Sequence, residues 1–204
     1  MTSVELSDVR VNIGTLEGLP VNTVFLRQVH GAKIATIKSY SVMRPVADGA
    51  WIPTTNVVVG ILSADCLPLI LASPMGVLAL HVSRKSLIVE QLERVVQFLP
   101  PTTITGVFIG PHICAQHFTF QNLGEEIEKF HQLFPYAWEQ TDCVRISLQK
   151  VVMHYLKQWQ VAPKIIFSDP RCTYENVSLY SYRRWREKNT TMPLSYNITC
   201  AQRR

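Results

Sequence analysis

The sequence predicts an α+β fold, mixed β-sheets with helices packed against them, on three observations. Apolar runs of strand length crowd the first half of the chain. Stripes at helical spacing appear in the second half, and turn-forming residues punctuate the joins.

In chain order, Val24–Val29 and Lys33–Ile37 read as strands separated by His30-Gly31-Ala32, where glycine permits a tight turn. Asn56–Leu62, Leu67–Ala72 and Val77–Val82 are three further apolar runs. Ser73-Pro74-Met75-Gly76 joins the last two as a turn, giving a hairpin buried on both faces. Ile88, Leu92, Val95, Val96 and Leu99 then predict a helix, capped by Ser83 or Ser86 and ended by Pro100-Pro101. Thr103–Ile109 reads as a strand leading to Gly110-Pro111. A second helix starts near Gly124, with Glu125 and Glu126 in its first turn and Ile127, Phe130 and Phe134 on one face. A third carries Leu148, Val151, Val152, Tyr155, Leu156 and Trp159 as one stripe. Lys164–Phe167 reads as the last core strand, and the remainder from Ser168 as polar and irregular.

At 204 residues, with 47% hydrophobic and 17% charged residues, the chain is expected to form a single domain over 1–204 with a sizeable core. No apolar run approaches the roughly 20 residues that cross a bilayer, and no charged-then-apolar leader opens the sequence. A soluble protein without a membrane partner is expected. Five widely spaced cysteines, odd in number, fit reduced thiols and a cytoplasmic location. No Cys-x2-Cys pair occurs, which speaks against a structural zinc knuckle. Residues 169–204 hold seven basic side chains against three acidic, most of the net +5. Without interleaved aromatic platforms, that charge reads as solvated surface, and no nucleic-acid partner is expected.

His30 closes Gln28-Val29-His30-Gly31, His81 lies near the end of its strand, and Cys66 sits between two apolar strands beside Asp65. A thiolate and two imidazoles can bind zinc with a fourth position open for water. Their spacing matches no general metal motif. Residues at such positions are more often a hydrogen-bonded structural histidine and a cysteine packed in the core. His131 and His154 fall on predicted helices. His112 and His117 flank Cys114, three donors within six residues that can bind a metal, although a plain loop accounts for them as well.

Several segments together resemble one family. Gln28–Gly31 is similar to the QVHG segment of laccase-domain proteins, the multicopper polyphenol oxidoreductase-like family now read as zinc-dependent purine nucleoside enzymes. Val11–Gly14 echoes its NLG segment, Ala47-Asp48-Gly49-Ala50 its AD turn, and Ala64-Asp65-Cys66-Leu67-Pro68 its ADCxP. His81 falls where the family's HAGWRG begins. Ile109–Ile113 resembles IGPxI, Cys172-Thr173 the CT pair, and Tyr180–Arg184 YSYRR. From residue 28 to 184 these segments run in the family's order.

The resemblance implies a laccase-like fold shared with the cytotoxic necrotizing factor-like cysteine hydrolases. It also implies a metal held by His30, Cys66 and His81, with zinc as cofactor and copper able to enter the same ligands. Cys66 and His81 would be catalytic, with Asp65 orienting a ligand or shuttling a proton. The implied substrates are a purine nucleoside (adenosine, inosine or methylthioadenosine) and phosphate, the latter bound by Lys85 with Arg183 or Arg184. Phosphorolysis or deamination would follow, the latter with a metal-bound water of pKa about 7. A true multicopper oxidase would need roughly ten imidazoles, and six histidines are present.

The departures are specific. HAGWRG reads His81-Val82-Ser83-Arg84-Lys85-Ser86, with both glycines and the tryptophan replaced and Lys85 in place of arginine. Lysine lacks the bidentate fork of arginine. Thr119 stands where a glutamate usually follows IGPxI. The Gly-Arg that closes YSYRR is missing near Thr190-Thr191-Met192, and the N-terminal region is short. Two other readings therefore stand beside the zinc enzyme: a catalytically weakened relative acting as a binding protein, and a Cys66–His81 thiol hydrolase or deamidase.

Overall fold

The structure is a computed structural model that describes residues 2–14, 19–20, 22–188 and 193–204. The Thr190–Met192 stretch beside the missing Gly-Arg lies outside the described residues.

Among the described residues, fourteen strands build three sheets. They are β1 (Thr2–Leu6), β2 (Val9–Gly14), β3 (Thr23–Phe25), β4 (Ile34–Thr36), β5 (Gly49–Ile52), β6 (Val58–Ser63) and β7 (Leu67–Ser73). After these come β8 (Gly76–Val82), β9 (Gly106–Ile109), β10 (Thr119–Phe120), β11 (Trp138–Gln140), β12 (Val144–Ile146), β13 (Ile166–Ser168) and β14 (Asn197–Arg203). The helices are α1 (Arg84–Ile88), α2 (Glu125–Leu133), α3 (Leu148–Gln158) and α4 (Tyr182–Glu187).

A five-stranded sheet runs β1-β2-β14-β6-β3, and a six-stranded sheet runs β13-β9-β7-β8-β5-β4. Both contain parallel and antiparallel pairs, so the mixed α+β expectation holds. Strands β10, β12 and β11 form a small third sheet.

Alternation along β7 and β8 sets the layers. Ile70, Ala72, Val77 and Ala79 pack with Val11, Val59 and Ile61 of the five-stranded sheet. Leu67, Leu69, Leu71, Leu78 and Leu80 point to the opposite face, against Leu87, Phe130, Val151 and Leu156 of the helices. Every residue of both strands is buried, as the hairpin reading requires. Gly76 closes the turn at φ +154°, where a Cβ would stand 2.5 Å from the Ile52 carbonyl oxygen.

Four expectations need correction. The runs on either side of His30 do not pair with each other. Strand β3 is parallel to β6 in one sheet, β4 is parallel to β5 in the other, and the chain crosses between sheets at His30-Gly31. The helix expected up to Pro100 ends at Ile88: Glu90 adopts φ +63°, and residues 93–97 form a 3-10 turn. That break lets the buried Gln91 amide donate to the Asp48 carbonyl at 3.0 Å. Lys164–Phe167 is not the last core strand, because β13 begins at Ile166 and its Phe167 is exposed. Finally, segment 169–204 is not irregular. It carries α4 and then β14, which lies between β2 and β6 with its first five residues buried.

Candidate functional site

The β7–β8 hairpin brings two of the expected residues together. Its register pairs Pro68 with His81, so Cys66, two residues before Pro68 on the same face of the pleat, lies diagonal to His81. Cys66 is delivered by the sharp Ser63–Cys66 corner, in which Asp65 takes φ +94°.

His30 arrives from the crossover between sheets. Gln28 fixes the approach: its side-chain amide donates to the Leu62 carbonyl at 2.7 Å and accepts from the Leu62 N–H at 2.9 Å. The motif is thereby docked like an extra rung on the strand that leads to Cys66. His30 itself has φ +60°, stabilised by Asp48, whose carboxylate accepts N–H groups from Val29, His30 and Gly31 at 2.8–3.0 Å.

The result is a cluster. The ligand atoms of His30, Cys66 and His81 all lie within 4.8 Å of one another, and the two imidazoles meet edge to face at 4.9 Å. Asp48 also accepts a hydrogen bond from Nδ1 of His81 at 2.9 Å, leaving Nε2 to face Cys66. Burial alone would raise the Asp48 carboxyl, but hydrogen bonds from His81, Gly31 and Val29 outweigh it and hold the pKa low. Burial would likewise raise the Cys66 thiol. The His81 charge and hydrogen bonds from both histidines bring it instead to about 6. Burial opposes the charged form of His81 too, yet the Cys66 thiolate and Asp48 raise it to about 9. Thiolate and imidazolium favour each other, as in an ion pair between a half-buried Cys66 and a buried His81.

Asp65 is placed differently from expectation. Its carboxylate accepts the Thr173 hydroxyl and the Arg183 backbone N–H, each at 2.7 Å, so it ties the Cys66 corner to the CT and YSYRR segments. Lys85 is more than half exposed and pairs with Glu126 at 3.3 Å. Arg184 is spent on the backbone carbonyls of Thr173, Tyr174, Asn176 and Leu179. Arg183 lies over the Phe120 ring and donates to Thr119, the residue standing in the expected glutamate position. Arg84, which the sequence reading passed over, lies over the same ring at 5.1 Å and bonds to Glu126. The altered HVSRKS segment forms a helix start, in which Ser83 and Ser86 cap each other's backbone N–H. His112 is buried and bonded to the Gly110 carbonyl, away from the cluster. Gln28 and Asp48 are the site residues that spacing missed; both lie within segments that resemble the family's motifs.

An α+β scaffold presenting His, Cys and His from a crossover and a buried hairpin defines a laccase-domain protein. The chain belongs to that family: residues 5–193 match the model described as multi-copper polyphenol oxidoreductase laccase. Among curated relatives it is 29% identical over 175 residues to purine nucleoside phosphorylase YfiH of Escherichia coli, spanning 81% of this chain and 70% of that one. It is 25% identical over 174 residues to purine nucleoside phosphorylase SCO2081 of Streptomyces coelicolor, over 81% and 71% of the two chains. The fold resembles Neisseria meningitidis protein NMB0706 with TM-score 0.79 and 18% identity, over 99% of this chain and 98% of that one. YlmD of Geobacillus stearothermophilus gives TM-score 0.74 at 20% identity, over 90% and 74%. Among the described residues, no helix is long and apolar enough to cross a membrane.

Proposed function

We propose that this chain is a zinc-dependent purine nucleoside enzyme, cleaving or deaminating nucleosides such as adenosine. The observation that carries the reading is the convergence of His30, Cys66 and His81, with His81 oriented by buried Asp48. The donor set fits zinc: one soft thiolate and two imidazoles are three ligands, the number a catalytic zinc keeps while leaving a fourth position open. The purine nucleoside phosphorylase names of the relatives support the substrate class.

Zinc bound there would supply a more acidic water and a positive charge beside the substrate. The remaining work falls to the chain. Asp48 fixes the His81 tautomer and the loop that carries His30. Asp65 acts as a positioning residue, holding Arg183 beside the Cys66 corner. For phosphate, Arg183 and Arg84, both packed over Phe120, are better placed than Lys85, whose ammonium is ion-paired at the surface. Glu126 competes for Arg84, so the phosphate cradle is weaker than a pair of free arginine forks. Deamination or hydrolysis is therefore retained better than phosphorolysis. In the same reading the substrate and the reduced thiols go with a cytoplasmic protein, and copper is a competitor for the same three ligands.

The test is adenosine turnover with and without phosphate, resolving inosine, adenine and ribose 1-phosphate, with Cys66→Ala as blank. Equal inertness of wild type and Cys66→Ala would favour a binding protein. A second reading, a thiol hydrolase, is favoured by the lowered pKa of Cys66 beside His81. It requires activity that persists after zinc is removed.

A further inference from the structure

We propose that Cys114, His117, Cys172 and Glu175 form a second zinc site, closed and structural, distinct from the His30–Cys66–His81 cluster. Their ligand atoms also lie within 4.8 Å of one another. Nδ1 of His117 stands 3.2 Å from the Cys114 sulfur, 3.9 Å from the Cys172 sulfur and 3.3 Å from Oε1 of Glu175. The Cys114 sulfur is 3.9 Å from the same oxygen. Zinc bonds of about 2.0–2.3 Å in a tetrahedron separate the ligand atoms by roughly 3.3–3.8 Å, so a small adjustment suffices.

The spacing has a local cause. Cys114 and His117 are three residues apart on a turn closed by N–H groups of His117 and Phe118 donating to the Cys114 carbonyl. Cys172 and Glu175 are likewise three apart, on a turn closed by the Asn176 N–H donating to the Cys172 carbonyl. Each turn presents a Cys-x2-donor pair, the arrangement a zinc knuckle uses, with His and Glu in place of the second cysteines. The sequence marks Cys114 and His117 as possible donors, but without a Cys-x2-Cys pair it leaves Cys172 and Glu175 unmarked. His112, which flanks Cys114, is not a member, because its ring is turned to Gly110.

Further contacts hold the two turns together and preform the cluster. The Cys114 N–H reaches the Cys172 sulfur at 3.3 Å, the Thr173 N–H donates to the His112 carbonyl, and Tyr174 stacks on the His117 ring at 4.4 Å. Two thiolates and an imidazole suit zinc, and the carboxylate oxygen disfavours copper(I). Binding would release the two thiol protons to solvent. Four protein ligands leave no open position, so this site would clip loops rather than catalyse. Both loops end on Asp65: the Ile113 N–H donates to its carbonyl and the Thr173 hydroxyl to its carboxylate. The clip thus stiffens the corner that presents Cys66.

The test counts zinc per chain in His30→Ala/Cys66→Ala, which leaves the buried Asp48–His81 pair intact, after dialysis against metal-free buffer. One zinc should remain, and adding Cys114→Ser/Cys172→Ser should remove it and lower Tm by about 5–10 °C. Should those serines prevent folding, His117→Ala/Glu175→Gln, at partly exposed positions, should weaken zinc binding at least tenfold. Cobalt-loaded His30→Ala/Cys66→Ala should show tetrahedral visible bands with thiolate charge transfer. If His30→Ala/Cys66→Ala binds no zinc, the second site is refuted. If denatured, unreduced wild-type protein has three free thiols instead of five, and peptide mapping pairs Cys114 with Cys172, a disulfide replaces the zinc site.

Discussion

Asp48 and His81 share a 2.9 Å hydrogen bond between side chains that are 0% and 4% exposed. The same carboxylate gathers three backbone N–H groups around His30. One buried anion therefore sets both imidazoles of the cluster, although they come from different parts of the chain. Asp48→Asn replaces an acceptor with an NH2 group facing N–H donors. It should lower stability by about 2–4 kcal/mol and zinc affinity by about 10–100-fold. Denaturant unfolding and competitive zinc titration read the two effects. An unchanged zinc affinity would remove Asp48 from the site.

Cys66 should react as a thiolate at unusually low pH in zinc-free protein. Its pKa is lowered to about 6, so the reactive form persists at pH 7 and is lost only as pH falls below about 6. An ordinary thiol reacts mainly above about 8.5. Iodoacetamide labelling at Cys66, mapped by mass spectrometry across pH 5–9, measures this. Zinc should protect the residue, and a labelling midpoint near 8.5 in the zinc-free chain would contradict the ion pair.

Arg183→Ala should reduce phosphate-dependent cleavage of adenosine at least tenfold, mainly through KM for phosphate. Arg84→Ala should act in the same direction. Lys85→Ala should change it less than about threefold, because its ammonium sits at the surface beside Glu126. If the lysine variant is the most impaired, the cradle has been placed on the wrong side of α1.

Copper-loaded protein, freed of excess copper, should not turn over phenols with oxygen. Six histidines cannot furnish a blue-copper centre together with a trinuclear cluster. Oxygen uptake with a phenolic substrate checks this, and sustained turnover with four coppers per chain would be incompatible with it.

The parts legible in the sequence were those whose signal is local. The buried hairpin declared itself through two unbroken apolar runs and a Ser-Pro-Met-Gly turn, and its register alone places Cys66 diagonal to His81. Helices α2 and α3 were visible as stripes closed by Phe134 and Trp159. The misses arose where distant groups decide. Nothing near residues 88–92 announces that Gln91 will leave a helix to reach the Asp48 carbonyl. Likewise Phe120, beneath both Arg84 and Arg183, belongs to a strand of two residues, too short to show a period. Segment 197–203 looked irregular because Asn197, Thr199, Gln202 and Arg203 are polar by type, yet sheet neighbours on both edges bury its first five residues.

That last strand has a consequence for biosynthesis. β14 lies between β2 and β6, and Asn197 at its start bonds to the Ser63 and Tyr180 carbonyls, beside the Cys66 corner. A nascent chain emerging from the ribosome carries β2 and β6 long before the strand that joins them exists. Until residue 203 is released, those two strands present unpaired edges to the cell. Closure must then draw together partners far apart in sequence, a high-contact-order step that slows folding. The Cys66 corner, although synthesised early, gains this support only when translation has passed it by more than a hundred codons.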